Sequence, residues 1–226
     1  MGLNEKFFKS ADSGINPRDH FNTILYEGDG NNGRNITTVG FEPAFIWIKI
    51  RETAGWNTSH YSFNSLSGAL KRLKTNEEDA ENTFANSVSS FDGQGFTMGS
   101  ALNINGSGKD FVAWNWYAPT SQSIGASGSR LASTIKKNVT AGFSIVNYTG
   151  GGGIATVSHG LDSTPEMIIV KSRDHTAGWY TYHIGLDASS PEDYNVRLNE
   201  TSARQDSASY WNDTAPTDSV FTIGTT

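Results

Sequence analysis

AFIWIKIR, residues 44–51, and EMIIVKSR, residues 166–173, decide how this chain folds. In the first, Ala44, Ile46, Ile48 and Ile50 alternate with Phe45, Trp47, Lys49 and Arg51. A pleated strand with that order has one aliphatic face, and a second face that is aromatic at one end and cationic at the other. In the second, Ile168 and Val170 alternate with Met167, Ile169, Lys171 and Arg173. A period of two with one wholly aliphatic face predicts a strand in the middle of a two-layer β fold, its aliphatic side to the core.

Working outward, the same landmarks flank both stretches. FNTILYEGDG starts at Phe21 and FSIVNYTGGG at Phe143, 122 residues later, and Pro43 and Pro165 keep that spacing. Trp56 and Trp179 end matching AGW triplets 123 apart, Asn76 and Asn199 share that offset, and FTMG from Phe96 answers FTIG from Phe221 at 125. So many landmarks in order predict an internal duplication. After FTMG the first copy runs through an Asn/Gly/Ser stretch into DFVAWNWYA, residues 110–118, whereas FTIG is followed by two threonines. The expected organisation is all-β. It comprises an arm at 1–20, a β repeat at 21–118, a Ser/Gly linker with an edge strand at 119–138, and a second repeat at 139–226. The repeats are read as tandem antiparallel sandwich or jelly-roll-like units, the second lacking the closing strand that Phe111 to Tyr117 supplies to the first. Within the first, strands are predicted at 21–27, 35–39, 44–51 and 58–63. Asn76 ahead of Glu77, Glu78 and Asp79 predicts a short helix over 76–87.

Composition agrees with this reading. Charged residues are 18% and aromatics 12%, with 24 Gly, a profile of short strands and many turns rather than helices. Net charge is −6 and the basic residues are scattered, which argues against a nucleic-acid footprint. Cys is absent, excluding disulfide scaffolds and thiolate chemistry. No stretch approaches a membrane span and the N-terminus has no signal-peptide core, so synthesis in a cytoplasm without standard secretion is expected.

Catalytic signatures are thin: there is no GxSxG elbow, HExxH or Walker loop, and no catalytic or metal-binding set is assigned. Glu77, Glu78, Asp79 and Glu81 read as a solvated helix start rather than a glycosidase pair. His60 and His183 read as cross-strand packing, and the Asp29 loop, GDGNNG, lacks EF-hand spacing. Trp56 and Trp179 are either lids over the sheet or exposed platforms for a sugar ring, with lid packing favoured. Lys49 with Arg51, and Lys171 with Arg173, either bind an anionic glycan or pair with acids on neighbouring strands, the ion pairs being favoured. These six residues are the candidate binding set.

FNTILYEGDG, VGFEPAFIWIKIR, SFDGQGFTMG and FVAWNWYA, with AGFSIVNYTG, HGLDSTPEMIIVKSR and WNDTAPTDSVFTIGT in the second copy, together span nearly everything after residue 20. This combination resembles a repeat domain of uncharacterised function in virion and tail-fibre proteins of tailed phages, especially marine ones. The resemblance implies a non-enzymatic, β-rich virion component, made in the bacterial host cytoplasm, without cofactors. Its implied partners are other virion proteins and copies of itself as a homo-oligomer, with host-surface glycan as a further contact and neither nucleic acid nor membrane insertion. It brings no established binding residues. A carbohydrate-binding, lectin-like module and a capsid decoration or head-fibre protein are the alternatives. The unequal copies predict an open strand position in the second, filled by residues 1–10, by the 130–136 segment or by a neighbouring chain.

Overall fold

The computed structural model describes residues 14–52 and 59–225. The first half contains β1 (Phe21–Glu27), β2 (Arg34–Ile36), β3 (Phe45–Ile50), β4 (His60–Asn64), β5 (Lys71–Lys74), β6 (Asn82–Thr83), β7 (Val88–Asp92), β8 (Gly95–Met98), a one-turn helix α1 (Leu102–Asn105) and β9 (Asp110–Trp116). Six strands form a sheet in the order β1-β9-β3-β4-β5-β6, and three more form β2-β8-β7. All pairings are antiparallel.

The alternation of the 44–51 stretch is realised on β3. Ile46, Ile48 and Ile50 are 0, 0 and 1% exposed and face a core shared with Ile36, Val88, Phe96 and Met98 of the smaller sheet, which makes this half a sandwich. β9 runs between β1 and β3, with Phe111 and Ala113 fully buried in the same core. Its other face carries an aromatic ladder: Trp116 lies 4.8 Å from Phe21 and 5.3 Å from Phe45, and Trp114 lies 6.1 Å from Trp47. Such cross-strand aromatic pairs stabilise a sheet beyond the area they bury.

The rest of the chain forms β10 (Thr120–Ile124), β11 (Ser133–Asn138), β12 (Phe143–Tyr148), β13 (Ala155–Ser158), β14 (Met167–Val170), β15 (Tyr180–His183), β16 (Tyr194–Arg197), β17 (Gln205–Asp206), a one-turn helix α2 (Ala208–Trp211) and β18 (Val220–Ile223). The sheets are β10-β11-β12, β13-β18 and β14-β15-β16-β17. Val157, Tyr182, Trp211 and Phe221 form a second core, with Val146, Tyr148, Ile168 and Val170 partly buried against it. The chain is therefore an all-β protein of several antiparallel sheets.

Two expectations are corrected. The 119–138 stretch is not a linker with an edge strand. Thr120–Ile124 is itself a strand, and Ser133–Asn138 is the middle strand of its sheet, with Ile135 fully buried. No helix forms over 76–87, because Asn76 Oδ1 accepts the backbone N–H of His60 at 2.7 Å and the following acids bind side chains elsewhere. Of the 1–20 arm, residues 1–13 lie outside the described residues, while Pro17–Asp19 form a single 3-10 turn capped by Asn16.

Candidate functional site

The acidic run after Asn76 is where the predicted charges meet. Lys74, at the end of β5, holds Glu77 at 2.6 Å and Asp79 at 2.9 Å. The Ser59 hydroxyl donates to Glu77 at 2.6 Å. Hydrogen bonds from Lys74 and then Ser59 hold the Glu77 carboxyl below the usual carboxylate range, and Lys74 does the same for Asp79.

The second half closes on this run from the other side. Arg173 grips Glu81 with two parallel bonds, Nε and Nη2 each donating at 2.8 Å, a planar fork that fits a carboxylate. Lys171 Nζ donates to the Glu78 carbonyl at 3.1 Å, and Arg197 lies 3.6 Å from the Glu78 carboxylate. Backbone bonds join the same pieces: Glu81 N–H to the Arg173 carbonyl at 2.8 Å and Ala177 N–H to the Glu78 carbonyl at 2.9 Å. Trp179 is 7% exposed, and its indole N–H donates to the Lys74 and Glu77 carbonyls at 2.9 and 3.1 Å. The whole arrangement is a clasp of charge and backbone around one buried indole.

Of the six candidate residues, the structure brings Lys171, Arg173 and Trp179 together at this clasp. Lys49 lies across the β3–β4 pair from His60 and donates to the Ile50 carbonyl at 3.2 Å. His60 accepts the Trp47 indole N–H at 3.1 Å, and burial, then Lys49, push its pKa down. Arg51 is exposed, its backbone N–H bonded to the Asp110 carbonyl at 2.8 Å. Trp56 lies outside the described residues. The Trp179 backbone N–H donates to Asn199 Oδ1 at 2.8 Å, as that of His60 does to Asn76.

The GDGNNG loop is filled by the protein's own groups. Asp29 Oδ1 accepts from the Asn31 N–H at 2.9 Å and from Asn105 Nδ2 at 3.0 Å, and Arg34 lies 3.8 Å away. These contacts, led by the Asn31 N–H, hold Asp29 below the usual carboxylate range. Asn105, fully buried at the end of α1, escapes sequence reading because nothing in LNINGSG distinguishes its amide from a turn residue. Between the halves, Phe41, Glu42, Gln94, Tyr117 and Lys136 line a cavity of about 430 Å³. Among the described residues no cluster of three or more His, Asp or Glu has metal-binding geometry.

Fold and site together define a β-sandwich protein whose most developed polar site joins its own two halves. The chain belongs to the family described as Domain of unknown function (DUF7483), whose model matches residues 16–226. No curated protein and no solved structure matches it.

Proposed function

We propose that this chain is a non-enzymatic structural component of a tailed-phage virion, a tail or tail-fibre part that assembles with other virion proteins and with copies of itself. The observation that carries this reading is the clasp. Lys171, Arg173 and Trp179, three of the six residues singled out for binding, are engaged in holding one half of the chain to the other. Rigid coupling of successive β units is what a spacer or fibre requires. The glycan-binding alternative has less support, since Trp179 offers no open ring face.

The reading includes a duplicated module, and the strand pairings support it. The order β3-β4-β5-β6 recurs as β14-β15-β16-β17. Ile46 opposite Phe63 recurs as Ile168 opposite Tyr182, and Arg72 opposite Asn82 as Asn195 opposite Gln205. Ile36 opposite Phe96 recurs as Val157 opposite Phe221. Gly99 N–H donates to Ser87 at 2.8 Å, and Gly224 N–H to Tyr210 at 2.6 Å.

Quantitative mass spectrometry and antibody-gold labelling of particles from a phage that encodes this chain test the proposal. A fixed copy number per particle with gold on the tail is expected. Gold on the head would transfer the protein to the capsid-decoration alternative, and absence from washed particles would overturn the virion reading.

A further inference from the structure

Away from the clasp, the cavity of about 430 Å³ between the halves has the size of a small-molecule site. Three segments of the first half and one strand of the second build it. They are residues 40–42 after β2, the Gly93 and Gln94 turn between β7 and β8, residues 117–119 between β9 and β10, and Lys136 on β11. Hydrogen bonds fix these walls in place. Gly40 N–H donates to the Gln94 carbonyl at 3.2 Å, Tyr117 N–H to the His20 carbonyl at 2.9 Å, and Asn138 Nδ2 to the Tyr117 carbonyl at 3.1 Å.

The polar side chains on these walls are not used up by the protein. Among the described residues, neither the Gln94 carboxamide nor the Tyr117 hydroxyl makes a hydrogen bond. Lys136 Nζ and Glu42 Oε1 stand 3.6 Å apart across the halves, an ion pair too long for a hydrogen bond, so both keep their capacity to donate or accept one. In the clasp and the GDGNNG loop, by contrast, such groups are spent on protein partners. The Tyr117 ring is set by the buried Phe41, whose ring lies 5.2 Å away at a tilt of 40°.

We infer that this cavity binds a neutral saccharide unit. The Glu42 carboxylate accepts hydrogen bonds, the Lys136 ammonium donates them, and the Gln94 amide and Tyr117 phenol do both. Sugar hydroxyls also do both, and the C–H face of a sugar ring suits the Tyr117 ring and Pro119. Charge rules against other classes. Glu42 and Lys136 cancel, so an anion meets the carboxylate and a cation meets the ammonium at close range. An apolar molecule strips water from four polar groups and returns no hydrogen bond. A zwitterion needs its two poles bound separately, whereas these two charges neutralise each other at 3.6 Å. The inference goes beyond the virion reading and does not rest on it, and it puts saccharide contact at a place apart from Trp56 and Trp179.

The probes are glucose, galactose, mannose and N-acetylglucosamine, each titrated onto the isotope-labelled full chain with backbone amide shifts as readout. Expected is saturable binding of at least one of them, with a Kd of about 1 mM and shifts centred on residues 40–42, 93–94, 117–118 and 136. Gln94→Ala and Glu42→Gln, both at exposed side chains, weaken that binding more than about tenfold at an unchanged melting temperature. Glu42→Gln also leaves Lys136 uncompensated, so glucuronate, rejected by the unaltered chain, then binds better than glucose. Dextran and galactomannan distinguish the source. Shifts at the same residues with a polymer support a unit within a chain, and shifts with the monosaccharide alone support a free sugar. Shifts centred elsewhere, tighter binding of phosphate or glycine than of any sugar, unchanged affinity in both variants, or no saturable binding would overturn the inference. The virion reading is decided separately, by the particle labelling.

Discussion

Asn105 concentrates more polar contacts than any residue the sequence drew attention to. Its amide nitrogen lies 3.0 Å from each of Asp29 Oδ1, the Asn31 carbonyl and the Gly99 carbonyl, so its two hydrogens serve three acceptors. Its Oδ1 accepts from the Asp29 N–H at 3.1 Å and from Arg34 at 3.2 Å, and its backbone carbonyl takes the Gly30 N–H at 2.8 Å. One buried amide thus fixes the β1–β2 loop against the end of α1. Replacing it by alanine leaves the buried Gly99 carbonyl without this partner, a loss that costs about 1–3 kcal/mol, and takes the loop's Asp29 and Asn31 off their shared anchor. Asn105→Ala is expected to destabilise the chain by about 3 kcal/mol in urea unfolding. A change below about 1 kcal/mol would mean that water replaces the amide without penalty. The loop's Asp29 was visible in the sequence as an acidic turn, but its partner lies 76 residues away, where no local pattern announces it.

At the scale of elements, close backbone approach constrains the small sheet more than its side chains do. A Cβ on Gly95 would stand 1.8 Å from the Ile36 carbonyl oxygen, inside the β2–β8 pair. That oxygen is backbone, so the clash cannot be relieved by a rotamer, and β2 must separate from β8. Gly95→Ala is expected to cost about 2–4 kcal/mol, while Gly93→Ala, in the same β7–β8 turn with open space around its Cβ, stays within about 0.5 kcal/mol. Equal melting shifts for the two would show that the small sheet tolerates the added atom. The strands themselves were legible where period-two alternation was strong: 21–27 matched its prediction, and 44–51 appeared as 45–50. The 76–87 helix was misjudged because Asn76 and the acids do resemble a helix start. Their partners, His60, Lys74 and Arg173, are supplied by tertiary structure, which overrode the local preference. The match of Trp56 with Trp179 falls outside the described residues, while strand register places Tyr61 and Tyr180 opposite Ile48 and Val170.

Over the whole molecule, the two cores are unequal and the clasp connects them. Among the described residues, fifteen buried side chains form the first cluster and four the second, so the second half depends more on its neighbour. That dependence passes through Trp179, whose ring is buried and whose N–H is held by two carbonyls of the first half, and through the forked Arg173–Glu81 pair beside it. Coupling of this kind makes two units unfold as one, because opening either exposes the shared surface. The unaltered chain is therefore expected to show a single calorimetric transition. In Trp179→Ala the lost burial amounts to about 3–5 kcal/mol by analogy with other large core aromatics. That loss falls on the interface, so the transition should split, the second half melting first. Tryptophan fluorescence cannot follow this alone, since Trp47 and Trp114 report on the first half, Trp116 on both through its stacking on Phe143, and Trp211 on the second. Hydrogen exchange sampled along the melt assigns each transition to its strands. If Trp179→Ala still unfolds in one step, with β3 and β15 losing protection together, the halves are held as a unit by something other than the clasp, and the rigid-spacer reading loses its main structural support.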